Sequence, residues 1–93
     1  MPTFELLDVL KLDEEFSISG KGYQEFGPNV RISLNYENRS EVHKAYVADE
    51  NNEVYNQEDI SLTLFAQNSG KVTITVWDFN QENVLATGEF VVI

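Results

Sequence analysis

The chain has no cysteine, which excludes disulfides, thiol catalysis and cysteine-ligated zinc. It also lacks a long apolar run, and charged residues interrupt the N-terminal stretch where a signal peptide would need one: Glu5, Asp8 and Lys11. We therefore expect no membrane span and no secretion signal. The expected location is the cytoplasm, or a particle assembled there, with a mature secreted form as the alternative.

Basic residues are scarce in this sequence. Six lysines and arginines stand against sixteen aspartates and glutamates, which gives a net charge of −10. A surface this acidic repels the phosphates of nucleic acids and anionic lipids, so we expect neither as a direct partner. It suits a basic protein partner, although an acidic surface also serves solubility alone.

His43 is the only histidine. No serine, cysteine or second histidine stands in a recognisable triad or metal-ligand spacing with it, so an edge-strand or surface position is expected. A chain of 93 residues also leaves little room for a substrate cleft. We therefore expect a protein without enzymatic activity.

The residues that are present favour β-structure. Hydrophobic residues make up 42% of the chain and aromatic residues 12%, which suits a single folded domain over residues 1–93. The clearest strand is Lys71–Phe79, where β-branched and aromatic residues alternate with period two. Its inward side is predicted to hold Val72, Ile74 and Val76, and its outward side Thr73, Thr75, Trp77 and Phe79.

Two hairpins are predicted around this strand. The segment Ile60–Ala66 is followed by a short loop whose last residue, Gly70, suits a left-handed conformation. This loop sets a register in which Leu64 lies opposite Ile74, Leu62 opposite Val76 and Thr63 opposite Thr75. The strand Val84–Ile93 is predicted to pair on the other side with these side chains inward: Val84, Ala86, Gly88, Phe90 and Val92.

The rest of the chain is predicted to hold shorter strands separated by turns. Thr3–Leu12 is predicted to be a strand kinked near Asp8, with an amphipathic helix that starts at Thr3 as the alternative. The remaining strands follow in chain order: Phe16–Tyr23, Val30–Tyr36, Val42–Asp49 at a sheet edge, and Val54–Asn56.

Seven or eight short strands with frequent turns predict an all-β fold, an antiparallel immunoglobulin-like β-sandwich. The last third of the chain, LTLFAQNSGKVTITVWDF followed by ENVLATGEFVVI, resembles the closing strands of bacterial immunoglobulin-like domains. The resemblance is one of pattern, and the cysteine and core-tryptophan signature of antibody domains is missing. It implies a fold and no particular function.

One loop carries a candidate calcium site. Asp78, Asn80 and Glu82 place oxygen-bearing side chains at alternate positions, and calcium binds several such oxygens. The phrase VWDFN resembles the later metal loop of C2 domains. The second aspartate-bearing loop of those domains is not found in this sequence, so a solvated turn is the alternative. A calcium- or carbohydrate-binding module is one functional hypothesis.

Phe65, Trp77 and Phe79 are candidate partner-binding residues. The predicted register puts all three on the outward face, either as an exposed aromatic patch or under cover of another segment or subunit. The leading hypothesis is a non-enzymatic protein-interaction or structural module that acts through a strand edge or through this patch.

Acidic residues supply a second set of candidate partner-binding residues. Asp49, Glu50 and Glu53 occupy a predicted hairpin tip, where they would suit a basic partner. The corresponding hypothesis is a small acidic inhibitor that mimics nucleic-acid charge and blocks a basic groove on another protein.

Overall fold

Alternating apolar side chains form eight β-strands in the part of the chain that the structure, a computed structural model, describes: residues 3–5, 9–47 and 60–93. The strands are β1 (Thr3–Glu5), β2 (Val9–Leu10), β3 (Glu15–Lys21), β4 (Asn29–Asn35), β5 (Ser40–Tyr46), β6 (Ile60–Phe65), β7 (Gly70–Asp78) and β8 (Val84–Val92). Within these ranges the only helix is the three-residue 3₁₀ turn Gln24–Phe26, and no helix there is long and apolar enough to cross a membrane.

The strands form two sheets. β1, β3 and β6 make a three-stranded sheet in that order, and the others make a five-stranded sheet in the order β2-β8-β7-β4-β5. The prediction of an all-β chain is therefore confirmed. One pairing departs from the predicted antiparallel arrangement, because β2 runs parallel to β8, with Val9 opposite Val91. The N-terminal segment thus contributes one strand to each sheet.

The strand interpretation of the N-terminal segment is confirmed where the structure describes it, since Thr3–Glu5 and Val9–Leu10 are strands. The predicted kink at Asp8 lies outside the described residues, as do the predicted hairpin tip at 49–53 and the predicted strand Val54–Asn56. Among the described strands β5 lies last in the five-stranded sheet, which agrees with the predicted edge position.

One hydrophobic core lies between the two sheets. The inner face of the five-stranded sheet buries alternate residues of β4 and β7, as the period-two pattern predicts. Phe16 of β3 meets Phe90 of β8 across the core, with ring centroids 5.4 Å apart and ring planes tilted by 55°. The buried residues that join the sheets include Phe16, Ile18, Val30, Ile32, Leu34, Ile60, Val72, Ile74, Val76 and Phe90.

The predicted hairpin between Ile60–Ala66 and β7 is wrong. β6 pairs with β3, and β7 pairs with β4 and β8. The loop between β6 and β7 therefore connects the two sheets. The pairs predicted for Leu64, Leu62 and Thr63 with Ile74, Val76 and Thr75 are replaced by pairs with Phe16, Ile18 and Ser17, respectively.

Backbone hydrogen bonds explain why the chain does not turn back on β6. The Ala66 N–H donates to the Glu14 carbonyl at 3.0 Å, and the Ala66 carbonyl accepts from the Asp13 N–H at 2.7 Å. The buried Ala66 thus stays bound to the segment before β3 after β6 has ended. Gly70 then begins β7 with φ 109°, a conformation that strains any residue with a side chain. The positive φ predicted for Gly70 is present, but it serves a crossing between sheets.

The second predicted hairpin, between β7 and β8, is confirmed as far as Val76, which lies opposite Ala86. A register shift directly after this pair sets Trp77 opposite Val84, so one residue of β8 has no counterpart. Beyond the shift, the inward and outward positions of β8 are exchanged relative to those of β7. Val84, which was predicted to point inward, is therefore 54% exposed.

The edge strand β5 carries an inward-facing carboxylate. Glu41 Oε1 accepts a hydrogen bond from the Tyr36 hydroxyl at 3.1 Å, and Oε2 pairs with Arg39 Nη2 at 3.2 Å and lies 3.5 Å from His43 Nε2. Burial, and then the nearby Glu41 carboxylate, raise the pKa of Tyr36. The histidine thus lies on the edge strand, as predicted, within a polar cluster.

Candidate protein-interaction surface

The outer face of the five-stranded sheet brings five cationic and aromatic residues together. We call them the cation–aromatic face; they are Arg31, Lys44, Tyr46, Trp77 and Phe79. In the sheet register Arg31 of β4 lies between Trp77 of β7 and Lys44 of β5. The neighbours of Arg31 in β4, Val30 and Ile32, are buried in the core, as are Ala45 of β5 and Val76 of β7, so the alternation of a strand turns Arg31, Lys44, Tyr46 and Trp77 to the outer face.

Trp77 is anchored by a hydrogen bond from its indole Nε1 to Ser33 Oγ at 3.0 Å. Ser33 and Thr75 lie on the same outer face, yet they are only 6% and 9% exposed. The hydrogen bond places the indole against Ser33, its diagonal neighbour on the next strand, so the ring contributes to the cover of Ser33. Trp77 itself is half-buried, so its accessible part is a surface of fixed orientation.

Arg31 is held by Phe79 in two ways. Its Nε donates a hydrogen bond to the Phe79 carbonyl at 2.8 Å, and its guanidinium carbon lies 4.7 Å from the centre of the Phe79 ring. The second contact is a cation–π interaction. A guanidinium has five N–H donors, and those on its two terminal nitrogens find no partner among the described residues.

Lys44 lies directly opposite Arg31, and its Nζ is 5.7 Å from the centre of the Tyr46 ring. Tyr46 is 73% exposed, which makes it the most open aromatic side chain of the face. Like charges on directly opposite residues destabilise a sheet. The side-by-side position of Arg31 and Lys44 therefore works against stability.

The two cations of this face are not neutralised within residues 3–5, 9–47 and 60–93. The ion pairs found there involve other cations, such as Lys71 with Glu89 at 3.1 Å. Two of the six basic residues in a chain of net charge −10 thus stand side by side with no counter-charge among the residues that the structure describes. Two adjacent cations, one of them an arginine with unused paired donors, are suited to bind a carboxylate or phosphate group.

Phe65 does not belong to this surface. It ends β6 opposite Glu15 in the three-stranded sheet, where it is 55% exposed. The predicted grouping of Phe65 with Trp77 and Phe79 is wrong, because it depended on a β6–β7 hairpin. Trp77 and Phe79 do come together through Arg31, which lies opposite the first and against the ring of the second.

The sequence interpretation missed Arg31, Lys44 and Tyr46. Alternation alone places them on an outward face, but their proximity to Trp77 follows from the pairing of β7 with β4 and of β4 with β5. The available signal was the strand pattern of Val30–Tyr36. Had this strand been set beside β7, the register would have brought Arg31 to Trp77.

The predicted acidic tip, formed by Asp49, Glu50 and Glu53, lies outside the described residues. Its role in binding a basic partner stays a prediction. The acidic-inhibitor hypothesis depends on such carboxylates, so it stays a hypothesis as well.

The candidate calcium loop uses its first carboxylate to hold its own turn together. Asp78 Oδ1 accepts a hydrogen bond from the Glu82 N–H at 2.8 Å, and Oδ2 accepts one from the Asn83 side-chain amide at 2.8 Å. Asn80 and Glu82 are exposed. The described ranges contain no group of three or more histidine, aspartate or glutamate side chains placed to hold a metal ion. Calcium binding at this loop stays a prediction.

Asp78 is expected to stabilise the β7–β8 hairpin in a pH-dependent way. The hydrogen bond from the Asn83 amide, helped by those from backbone N–H groups, lowers the pKa of the Asp78 carboxyl. A carboxyl whose pKa is lowered by folding adds stability above its ordinary pKa of roughly 4 and loses it as the pH falls through the lowered value. Asp78→Ala should therefore reduce the melting temperature at pH 7 and make less difference at pH 3.

Glu82→Ala is the matched control, because it removes an exposed carboxylate of the same loop. It should leave the melting temperature, followed by circular dichroism, nearly unchanged at both pH values. An Asp78→Ala effect of equal size at pH 7 and pH 3 would contradict the role of the ionised carboxylate. Repeating the melts with calcium tests the metal hypothesis, which requires a rise that Asp78→Ala abolishes.

The chain was compared with protein-family models, with curated proteins and with solved structures. None of the three comparisons returns a match. The geometry and charge of the cation–aromatic face and of the strand edge beside it are therefore the features from which a function can be inferred.

Proposed function

We propose that this chain is a non-enzymatic protein-interaction module with an immunoglobulin-like β-sandwich fold, and that it binds a partner protein at the cation–aromatic face and the adjoining edge strand β5. The observation that carries the proposal is the side-by-side position of Arg31 and Lys44, which have no counter-charge in the described part of the chain, among partly exposed aromatic side chains on one sheet face. The partner is expected to be a protein and not a nucleic acid or a membrane.

The strand order supports the immunoglobulin-like part of the proposal. In immunoglobulin domains strands B and E share one sheet, and strands C, F and G share the other, with an added C′ strand beside C in variable-type domains. β3 and β6 take the first arrangement, and β8, β7, β4 and β5 take the second in the order G-F-C-C′. A connection from E to F that crosses between sheets belongs to the same topology.

The residue types of the cation–aromatic face support a protein contact. Tryptophan, tyrosine and arginine are the residues that most often dominate the binding energy of protein interfaces. Here Trp77, Arg31 and Tyr46 lie on adjacent strands, and Val42 adds an exposed apolar side chain on the same face of β5. Rigid strands hold these side chains, so little conformational entropy is lost when a partner binds.

The edge strand β5 supports the same surface from the side. In the described part of the chain no strand pairs with its outer side, and exposed edges take up extended segments of other proteins. The inward-facing Glu41 and the outward-facing Lys44 are the kind of charges that discourage indiscriminate edge pairing. A partner must therefore match these charges to bind.

Affinity capture with a matched pair of variants tests the proposal. Tyr46 and Phe65 are exposed aromatic residues that each end a strand, one at the cation–aromatic face and the other on the three-stranded sheet. A protein captured from the native host by the wild-type chain should bind Tyr46→Ser at least about tenfold more weakly and Phe65→Ser about equally. Thermal melts establish that both variants are folded.

Three other outcomes speak against the proposal, two against its surface and one against the absence of enzymatic activity. A captured partner that loses affinity for Phe65→Ser and keeps it for Tyr46→Ser would move the interface to the other sheet. Binding that ignores both substitutions but is lost in moderate salt would favour the acidic inhibitor, because screening weakens contacts between exposed charges. Turnover of a captured ligand by the wild-type chain would contradict the non-enzymatic assignment.

A further inference from the structure

We infer that β5 takes up an extended, acidic segment of a partner protein, in which an aspartate or glutamate is flanked at both second neighbours by apolar residues. The inference rests on the proposed function and adds the chemistry of the partner. It depends on three observations: the end position of β5 among the described strands, an outward-facing Lys44 with no acidic partner among the described residues, and apolar side chains on both sides of Lys44.

Lys44 provides the recognition of the carboxylate. Arg31 and Lys44 are directly opposite in the register, so their Cβ atoms are about 5 Å apart. The Phe79 carbonyl and ring hold the Arg31 guanidinium toward β7, so a residue that pairs beyond β5 meets the Lys44 ammonium and not the guanidinium. A carboxylate bound to Lys44 would also offset the repulsion between the two cations, so binding relieves a cost that the free domain carries.

The net charge of −10 does not prevent this contact. At 0.15 M salt, charges separated by more than about 8 Å are largely screened, whereas a carboxylate in direct contact with the Lys44 ammonium is not. In the sheet register, the rows that contain Arg31 and Ser33 carry no carboxylate within the described strands. Within the described strands, the charges of these two rows are therefore the two cations alone.

The period of a β-strand fixes the neighbours of the carboxylate. A segment that pairs with β5 continues the rows of the sheet, so the residue beside Lys44 extends the row Trp77, Arg31, Lys44. The same-face residues two positions away in β5 are Val42 and Tyr46, both exposed. The partner residues beside them should be apolar or aromatic, because cross-strand apolar pairs stabilise a sheet.

The apolar flanks favour a polypeptide over a polyphosphate. A phosphodiester backbone or a free phosphate could meet Arg31 and Lys44, but it would leave Val42 and Tyr46 without an apolar contact. An extended polypeptide can place a carboxylate beside Lys44, apolar side chains beside Val42 and Tyr46, and backbone hydrogen-bonding groups along the edge of β5 at the same time.

Selection from a displayed library of random nine-residue peptides tests the inference without a known partner. The bait is the intact chain of residues 1–93 in 0.15 M salt. The selected peptides should converge on an aspartate or glutamate with apolar residues two positions before and after it. In a synthetic peptide of this kind, replacing the acid by its amide should weaken binding about tenfold or more, because a hydrogen-bonded charge contact is lost.

Charge reversal provides the decisive comparison. Lys44→Glu should abolish the preference for aspartate or glutamate at the selected position while the apolar flanks persist, because the new carboxylate faces Arg31 and repels an acidic side chain. Lys21→Glu makes the same change in net charge on an exposed residue of the three-stranded sheet, and it should leave the acidic preference intact. The pair separates local recognition from the overall charge of the domain.

Several results would overturn the inference. Selection of basic peptides by the wild-type chain, an acidic preference that survives Lys44→Glu, or no convergence at all would each do so. Convergence on apolar peptides without an acid would overturn the inference too. If Tyr46→Ser abolishes the binding of those apolar peptides, the proposed interaction surface would still stand. The failure of the acidic motif and the failure of the surface are thereby distinguished.

Discussion

Phe90→Ala is expected to lower the free energy of unfolding by about 3–5 kcal/mol, close to the whole stability of a small domain. The Phe90 ring is buried in β8 and meets Phe16 of β3 at 5.4 Å between centroids. Removing the ring loses its burial and leaves a cavity between two sheets that strand pairing holds in place. Because the backbone of neither sheet is free to collapse into it, the loss should fall in the upper part of the range.

Phe65→Ala is the matched control for this prediction. It makes the same chemical change on a phenylalanine that is 55% exposed at the end of β6. Its cost should stay within about 0.5–1 kcal/mol, measured for both variants by urea denaturation. Equal losses for the two variants would contradict the assignment of Phe90 to the core. Phe90→Leu, which keeps much of the volume, supplies a folded variant if Phe90→Ala is too unstable to measure.

A double-mutant cycle tests whether the two rings act as a pair. Phe16→Leu and Phe90→Leu, alone and together, should show a coupling of about 0.5–1.5 kcal/mol, because tilted aromatic rings at this distance interact beyond their burial. This coupling joins the two sheets directly. Additive losses would mean that each ring packs against its own sheet.

The division into inward and outward residues could be predicted from the sequence because it depends on local geometry alone. Successive side chains of a strand point to opposite faces, so the buried rows of β4 and β7 follow from the pattern of valine, isoleucine and leucine. This held for both Ile32 and Ile74, whose strands are far apart in the chain. It failed at Val84, because a bulge after Val76 shifts the register and nothing in the residue pattern marks it.

The partner of each strand could not be predicted in the same way. Leu64 and Ile74 both point into the core, and they would do so whether their strands pair within one sheet or face each other from two sheets. A short loop with Gly70 is compatible with both connections. The hydrogen bonds of Ala66 to Asp13 and Glu14 decide between them, and they depend on residues about fifty positions earlier in the chain.

Because strand pairing could not be predicted, only part of the candidate surface could be identified from the sequence. Trp77 and Phe79 could be identified because a tryptophan and a phenylalanine at outward positions are unusual enough to notice. Arg31 and Lys44 could not be identified from the sequence. They form a site only because β4 and β5 pair and set them opposite each other next to an aromatic side chain. Phe65 was assigned to the wrong surface because β6 was predicted to pair with β7.

In the double variant that combines Ser17→Cys with Thr63→Cys, a disulfide is expected to form on oxidation and to raise the free energy of unfolding by about 3–4 kcal/mol. Ser17 and Thr63 are directly opposite in the β3–β6 pair, and their hydroxyl oxygens are 3.1 Å apart on the exposed side of the sheet. Directly opposite residues of antiparallel strands have the Cα separation that a disulfide needs. The crosslink would span 46 residues, and closing so long a loop removes much of the conformational entropy of the unfolded chain.

Thr63→Cys with Thr75→Cys is the control that separates the two topologies. A β6–β7 hairpin would set these residues opposite each other, whereas in the structure Thr63 pairs with Ser17, and Thr75 pairs with Ser33 and Thr87 in the other sheet. The wild-type chain has no cysteine, so the only thiols in either variant are the two introduced. Thiol titration and denaturation before and after oxidation should show a crosslink and a gain in stability for the first pair alone. A crosslink between positions 63 and 75 that stabilises the fold would mean that β6 belongs beside β7, and the separation of Phe65 from the cation–aromatic face would then be wrong.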